Sequence, residues 1–539
     1  MKHLLPSALM LLSAIPAMAV PTADSVAVVT TTETVTTVTT TSATDTVTSV
    51  SRSTSISEKL IEATTPHPLS FNYKVEGMAA TSSGHTPFWL LNNRLGLSSL
   101  KQNNGYIRGA AIREMATDKR FSWGAGIDLV VPYNFTSNFV IQQLYGEIRY
   151  RCLEFTLGSK ERYMGLVNRE LSSGDLTFSL NARPVPQAFL AMPRYEWVPW
   201  TRHWLAAKAY VSFGMFTDWR WQRDLVGPDG RWTEKLLYHS KGLFLRLGDP
   251  ARHPFLLEGG LEMGAQFGGT AYFVDDYGQH HVVHLPHGAK DIIKIIFPMG
   301  GGDSSDPDQL GEVANVLGNH LGQWSAALTF APRNSEWQFR TYYLHYFDDH
   351  SQMFLQHAWK DMLLGVEVTF PKNPVISQFV YEYLYSKDQS GAVYWDHNEN
   401  IPEQVSGRDD YYNHYIYPGW SHWGMGMGNP LIISPIYNKD NTLMFYHNRI
   451  KGHHFGWKGQ PFVQLSYRVL ISYTRSWGTY NYPTANVMHN FNSMLEATYS
   501  PRRLKGWDFR LGLAADGGRL LGKSFGAMLT ISKSGCLLK

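Results

Sequence analysis

The sequence predicts an all-β fold, a transmembrane antiparallel β-barrel of about 16–18 strands with long outer loops, and three observations predict it. First, from Phe462 through Tyr473 nearly every second residue is apolar and the intervening ones are mostly polar or charged. That is a strand with one greasy and one wet face, and Arg468 on the wet face would cost several kcal/mol against lipid. Second, the same two-residue period returns along most of the chain. Third, the chain opens like an exported protein, yet past Val20 it holds no apolar run long enough for a transmembrane helix, in keeping with its negative mean hydropathy. A membrane protein of this kind must cross with strands.

The export signal is read over residues 1–19: Lys2 and His3, an apolar run from Leu4 to Ile15, then the small-x-small Ala17-Met18-Ala19. Residues 20–66 are rich in Thr, Ser and Val and contain no Trp, Phe or Tyr to anchor a core, so a disordered linker is expected there. Within it, Asp24-Ser25-Val26 and Asp45-Thr46-Val47 match a short acceptor pattern for O-glycosylation, a pattern chance also produces and intact mass would test. The barrel is assigned to residues 67–539.

The first alternation is Ser70 to Gly77. Leu144, Gly146, Ile148 and Tyr150 then share a face opposite Glu147, Arg149 and Arg151. Further strands are expected over 104–116, 121–131, 204–214, 241–248, 254–267, 322–331, 335–347, 361–371, 376–387 and 488–500. Near the end, Phe509, Leu511, Leu513 and Ala515 oppose Asp508 and Arg510, and Phe525, Ala527, Leu529 and Ile531 oppose Gly526, Met528 and Thr530. Two stretches break the period. One runs from Asp291 through Gly300-Gly301-Gly302-Asp303 to Leu321, with short helical pieces; the other, from Ser390 to about Gly456, is dense in Tyr, Trp, His, Asn and Gly. Long connections belong on the outer side of such a barrel or inside its lumen, and function is expected there.

Charge excludes little and chemistry excludes more. With 48 basic against 45 acidic side chains the formal charge is +3, too small to argue for nucleic acid as a partner. Cys152 and Cys536 lie too far apart in sequence and context to suggest a disulfide framework or metal cluster. Arg149, Arg151, Arg246, Arg340, Arg468 and Arg510, with Glu147, Glu154, Glu382 and Asp508, are expected to line the lumen as cross-strand pairs of both signs, which favours occlusion over an ion-selective pore. The run His280, His281, His284, His287 invites a metal reading, but Asp275 and Asp276 complete no ligand motif and Pro286 interrupts any helix, so a hydrophilic loop is the simpler reading and no metal or cofactor is expected. His453-His454 is read likewise, and Gly300 to Asp306 lacks the bidentate acid of a calcium loop. There is no Gly-x-Ser-x-Gly, His-Glu-x-x-His or P-loop. Asp348, Asp349, Asp409 and Asp410 could pair as a glycosidase needs, yet sequence gives no separation between them, and no enzyme is expected.

The aromatic loop carries more: Tyr411, Tyr412, Tyr415, Tyr417, Trp420 and Trp423 stand among Asp, Asn, Gly and His. Flat apolar faces of this kind stack on sugar rings while amides and carboxylates bind hydroxyls; the same composition also serves a well-packed extracellular loop. With 29 Tyr, 17 Trp and 27 Phe, the whole chain shares the bias of barrels with interfacial girdles and of carbohydrate binders, and composition does not separate the two.

Several segments resemble the Wzi-type capsule assembly proteins: Thr86-Pro87-Phe88-Trp89-Leu90, then Asn92-Asn93-Arg94-Leu95-Gly96 and Asn104-Gly105-Tyr106, and further on Glu312 with Asn315 and Leu317-Gly318-Asn319-His320-Leu321-Gly322-Gln323-Trp324. The resemblance spans about Leu69 to the C-terminus. It implies an outer-membrane barrel of about 18 strands, a monomeric lectin that binds capsular or other surface polysaccharide and helps assemble or attach it. Its partners would be that glycan and outer-membrane lipid, with Trp420, Trp423, Tyr415, Asn319 and His320 as ligand-binding candidates. Two departures stand out. The Thr-rich segment offers no amphipathic helix for the periplasmic bundle of better-known members, and the chain ends Cys536-Leu537-Leu538-Lys539 where an aromatic is usual, the nearest being Phe525. The alternatives are a porin-like barrel for passive transport and a secreted glycan-active β-protein.

Overall fold

In the computed structural model, residues 71–537 are described, apart from 117–118, 276, 299–315, 334, 349–352, 354–358, 372 and 393–407. The expected signal peptide and Thr-rich segment, Asp276, Asp349, the Gly300–Asp306 run, Glu312 and Asn315 lie outside the described residues.

Eighteen strands form one closed antiparallel sheet. In chain order they are β1 (Asn72–Ser83), β2 (Asn103–Arg113), β3 (Phe121–Tyr133), β4 (Val140–Tyr150), β5 (Leu153–Ser159), β6 (Gln187–Trp197), β7 (Leu205–Met215), β9 (Leu237–Leu247), β10 (Phe255–Phe267), β13 (Asn319–Phe330), β14 (Gln338–Asp348), β15 (Met362–Thr369), β16 (Gln378–Tyr385), β19 (Ile450–Phe462), β20 (Leu465–Gly478), β21 (Pro483–Tyr499), β22 (Trp507–Gly518) and β23 (Ser524–Cys536). The barrel closes where β1 pairs with β23, from Asn72 opposite Cys536 to Ser83 opposite Phe525. Every strand edge is thereby paired, the condition a sheet in hydrocarbon has to meet. The five remaining strands are short: β8 (Trp232–Glu234), β11 (Thr270–Val274) and β12 (His280–His284) form a separate sheet, and β17 (Ser421–His422) pairs with β18 (Met425–Gly426). The helices are α1 (Phe88–Leu91), α2 (Trp219–Val226) and α3 (Ala289–Ile296).

The burial pattern is that of a water-soluble protein turned inside out. Along β4, Ile141, Leu144, Ile148 and Tyr150 are exposed, while Gln143, Glu147 and Arg149 are buried. Several inward charges are paired across strands, as expected, though among the described residues Lys208 bonds only the Met164 carbonyl and the Arg162 Nη1 and Nη2 atoms are buried without a partner. Arg108 binds Asp128 at 2.5 Å and Glu161 at 3.0 Å, Arg246 binds Glu258 at 2.9 Å, and Glu496 lies between Arg94 (2.8 Å) and Arg468 (2.9 Å). Arg151 is the exception: it occupies the two-residue turn between β4 and β5 with φ 57° and is exposed, so it belongs to the rim.

Aromatic belts bound the outward apolar band. At the rim where β1 begins and β23 ends, Phe121 faces Tyr150 across the pair β3–β4, Phe255 stacks on Phe330 at 4.8 Å, and Tyr499 is paired with Phe509. On β21 the outward Phe491 lies eight residues before Tyr499, about 27 Å along the strand and about 20 Å along the axis of a barrel tilted by ~40°. That is near the height of the apolar band of outer-membrane barrels.

The two rims differ. At the terminal rim the connections are short, such as 151–152 and 463–464; the opposite rim carries 84–102, 160–186, 216–236, 268–318 and 386–449. Three of these turn into the lumen. Residues 84–102 bring in α1, whose four residues are all buried. Residues 160–186 and the described part of the last connection, 408–449, are laced together at mid-lumen. Asn429 Nδ2 donates to Ser173 Oγ (3.0 Å), Trp420 Nε1 to the Thr177 carbonyl (2.9 Å) and Ser179 Oγ to the Gly428 carbonyl (2.6 Å). The wall holds this plug through Glu382 and Gln323. Glu382 accepts from Ser172 Oγ, Ser173 N and Ser173 Oγ at 2.5–2.7 Å, and Gln323 accepts from the N–H groups of Leu176 and Thr177 at 3.0 and 3.1 Å. The large buried core therefore lies inside the barrel, built from loop side chains.

Candidate functional site

Above the plugged lumen, two connections of the loop rim build a cleft of about 480 Å³, a size suited to one or two sugar units. One supplies α2 and β8, and the other supplies β11 and β12. The chain leaves β10 through Gly268 and Gly269, whose φ values of 63° and 79° favour glycine, and turns at once into β11. The β11–β12 hairpin is tied by Asp275, which accepts the N–H groups of Tyr277 (2.9 Å) and Gln279 (2.8 Å) and contacts His281 Nε2 at 3.0 Å. The Gln279 backbone and His281 hold this carboxyl below the usual aspartate range. β8 pairs with β11 so that Trp232 stands beside Tyr272, and Tyr272 stands beside Val282 on β12. One face of this small sheet is buried through Thr233, Ala271 and Val283, and the other faces the cleft.

Aromatic planes dominate the cleft. The Trp232 and Tyr272 rings stack with centroids 4.1 Å apart and planes 5° apart, and Trp219 of α2 continues the stack at 6.4 Å from Trp232. On the opposite face of the sheet, at the edge of the cleft, Phe273 stacks on His281 at 5.0 Å. Polar groups border these planes: Arg223 bound to Asp224 at 3.0 Å, and His280. Flat apolar faces edged by hydrogen-bonding groups fit the C–H face and hydroxyls of a sugar. Within the histidine run, His280 and His284 lie on one face of β12, about 13 Å apart at strand rise, and His281 lies on the other. Among the described residues no cluster of His, Cys, Asp or Glu could hold a metal ion.

The five sequence-derived candidates divide. Trp420 is fully buried, and Asn319 and His320 are 1% exposed. Asn319 Nδ2 donates to Gln266 Oε1 (2.9 Å), and His320 Nε2 contacts the Leu317 carbonyl (2.9 Å). These three have no open face for a ligand and instead build the plug and its wall. Tyr415 is 49% exposed, and Arg231, next to Trp232, donates to the carbonyl of His414, joining the cleft strand to the loop that carries Tyr415. Trp423 is half-buried against Trp221 of α2 at 6.0 Å, and its N–H donates to Asp218 at 2.7 Å. Both border the elements of the cleft. Of the carboxylates considered for glycosidase chemistry, Asp410 accepts from Asn413 (3.0 Å) and Asn448 (2.5 Å), and Asp409 from Ser390 (2.6 Å). Sequence reasoning missed Trp232 and Tyr272. Their alternating neighbours are a strand signal, but the pairing that unites them spans some forty residues and a barrel hairpin.

No family model matches the chain, and no curated protein matches it in sequence. Among solved structures it is similar to Wzi, an outer-membrane protein involved in group 1 capsule assembly in Escherichia coli and a carbohydrate-binding β-barrel. The TM-score is 0.53 and the identity 12%, over 85% of this chain and 83% of that one. It is also similar to Pseudomonas aeruginosa OpdL (TM-score 0.43, 10% identity, 87% and 99% covered) and Acinetobacter baumannii OccAB4 (0.42, 10%, 87% and 98%). The first likeness speaks to the fold; the other two are too loose to carry an argument.

Proposed function

We propose that this protein sits in the outer membrane, loop rim outward, as a non-catalytic, monomeric barrel that binds capsular or other surface polysaccharide and helps assemble or attach it at the cell surface. The observation that carries this reading is the Tyr272 ring, backed by the buried Trp232 and lining an open cleft on a barrel whose lumen is filled by its own loops. A barrel serving passive transport needs a water path through the lumen, whereas Glu382 and Gln323 fasten loop 160–186 across it. A glycan binder needs a presented aromatic plane edged by hydrogen-bonding groups, and the cleft supplies Tyr272 with Arg223, Asp224 and His280. The carbohydrate binding named for Wzi agrees with this reading without establishing it.

The test pairs two measurements on the purified full-length protein. Immobilised barrel should retain capsular polysaccharide from a capsulated strain of the source organism, and in planar bilayers it should open no steady channel. Steady conductance without glycan retention would replace the proposal with a transport barrel. Release of reducing sugar would make it an enzyme.

A further inference from the structure

Three neighbouring strands, β16, β19 and β20, carry an ordered succession of outward side chains towards the loop rim. Phe379, Trp457 and Val469 form one row in register, and Tyr381, Phe455 and Ile471 the next. The third is Tyr383, His453 and Tyr473, continued by Phe491 on β21. The fourth is Tyr385, Lys451 and Arg475. Beyond it lie Lys387, Arg449 and Trp477, with Arg449 Nε donating to the Lys387 carbonyl at 3.3 Å. Inward positions of the same strands, such as Glu382, His454 and Ser472, are buried, so this succession belongs to the outer wall. The rows pass from mixed aromatic and aliphatic side chains, through Tyr383, His453 and Tyr473, to cations, as a barrel wall meets hydrocarbon, interface and headgroups.

Four cations thus crowd one rim position around a few aromatic rings. Lys387, Arg475 and Lys451 lie 4.6, 5.3 and 6.0 Å from the centroid of the Trp477 ring, and Arg449 lies 3.7 Å from that of Tyr480. None of the four has a carboxylate partner among the described residues. Two acids of this rim are engaged elsewhere: Asp388 with Lys360 at 3.4 Å, and Asp361 with the N–H groups of Asp388 and Gln389. Burial, then repulsion from Lys451, Arg449 and Arg475, holds the Lys387 ammonium below the ordinary lysine value. Arg108 and Arg468 of the same barrel find carboxylates within the chain, whereas these four cations stand together at the lipid-facing rim without one, which implies an anion from outside the chain.

We propose that Lys387, Arg449, Lys451 and Arg475 form a binding site on the barrel's outer wall for the phosphate groups of a glycolipid in the surrounding outer leaflet. The placement selects a lipid, because the cations sit one residue pair above an aromatic row on a wall that faces neither the lumen nor the cleft. The acyl chains would run down the Tyr381–Phe455 and Phe379–Trp457 rows while the phosphates meet the cations, with Arg449 and Arg475 able to bind them bidentately. This site rests on the outer-membrane placement and is independent of what the cleft binds.

The test reconstitutes the full-length barrel into zwitterionic vesicles containing either bis-phosphorylated lipid A or its dephosphorylated form. Lipid that stays bound through detergent exchange is then counted by native mass spectrometry. Wild-type protein should retain the phosphorylated form at least about tenfold over the dephosphorylated one, K451Q/R475Q should lose that preference, and K451R/R475K should keep it. Inorganic phosphate in solution should not displace the lipid; if it does, the site takes free phosphate and the proposal falls. Equal retention of both lipids by the wild type overturns it without recourse to any variant. Heat-modifiable gel mobility confirms insertion in each case, and since no polysaccharide is present, failure of the cleft reading leaves the result untouched.

Discussion

Trp420 lies against Gly264. The indole comes from the loop that plugs the lumen and the glycine from the inner wall on β10, where a Cβ would stand 2.6 Å from the ring. Tyr238 stacks on the other side at 6.1 Å. The plug and the wall are therefore shaped for each other: where the largest loop side chain arrives, the wall has none. Gly456 on β19 does the same for the backbone of Leu171.

Gly264→Val should therefore push the plug off its seat. Overpacking at a buried contact costs about 1–3 kcal/mol, and the loss should appear in the loop before the barrel. Limited proteolysis should cut within 408–449 faster in the variant, with the heat-modifiable barrel band unchanged. Unaltered cleavage would show that Trp420 does not hold the loop.

Glu382 fastens loop 160–186, accepting bonds from Ser172, Ser173 and Tyr342. Glu382→Ala strands several buried donors at once, at about 1–3 kcal/mol for each one left unpaired. We expect single-channel recordings to show openings absent from the wild type. A silent variant would mean that the other lacing bonds suffice to keep the lumen filled.

The barrel was legible because lipid imposes a rule on every crossing: alternate residues must be apolar, and Leu144, Ile148 and Tyr150 obey it beside Glu147 and Arg149. The rule failed where the lumen is occupied. Ile450–Phe462 reads as loop because its inward places hold Gly452, His454 and Gly456, chosen to admit the plug. Gln187–Trp197 hides behind Pro193, which lies where the register with β7 shifts. Arg151 was misplaced because a two-residue turn continues the alternation of its strand by chance. The buried candidates Trp420, Asn319 and His320 share composition with a binding surface, and only packing distinguishes a ring that meets sugar from one that meets Gly264.

Tyr272→Ala should reduce polysaccharide retention about tenfold, the effect of removing one stacking plane worth roughly 1–1.5 kcal/mol. Tyr272 caps the ring stack, so its loss should leave the barrel band and the α2 contacts in place. Tyr415→Ala should act more weakly, since Tyr415 reaches the cleft only through the Arg231–His414 link. Retention unchanged in Tyr272→Ala would remove the cleft as the glycan site while leaving the barrel reading intact.

Acid should loosen the plug, and the hydrogen bonds of two histidines say why. His414 Nδ1 accepts the N–H groups of Ile416 (3.1 Å) and Tyr417 (3.3 Å), and His422 Nε2 accepts the N–H of Thr217 (3.4 Å) while Nδ1 faces the Arg183 carbonyl (3.0 Å). A protonated His414 would turn Nδ1 into a donor aimed at two other donors, whereas a protonated His422 Nε2 would face the Thr217 N–H and keep the Thr217 hydroxyl, 3.0 Å away, as an acceptor. Burial, and then Arg231, pushes His414 down to about 3; burial pushes His447 down to about 4. His422 is lowered by burial too, with the Asp218 charge and the hydrogen bond to the Arg183 backbone opposing and the Arg183 guanidinium adding to the effect. In a released loop these rings would titrate near the ordinary imidazole value of about 6.5. The docked plug therefore keeps its full stability above that pH and loses it progressively as the pH falls towards 4, because only the released loop gains protons. Protease cleavage within 408–449 should accelerate between pH 7 and pH 4.5 in wild-type protein and respond less in H414Q/H422Q, read with an acid-tolerant protease calibrated on an unfolded substrate. A flat profile in the wild type would mean that the docked and released loops bind these protons equally.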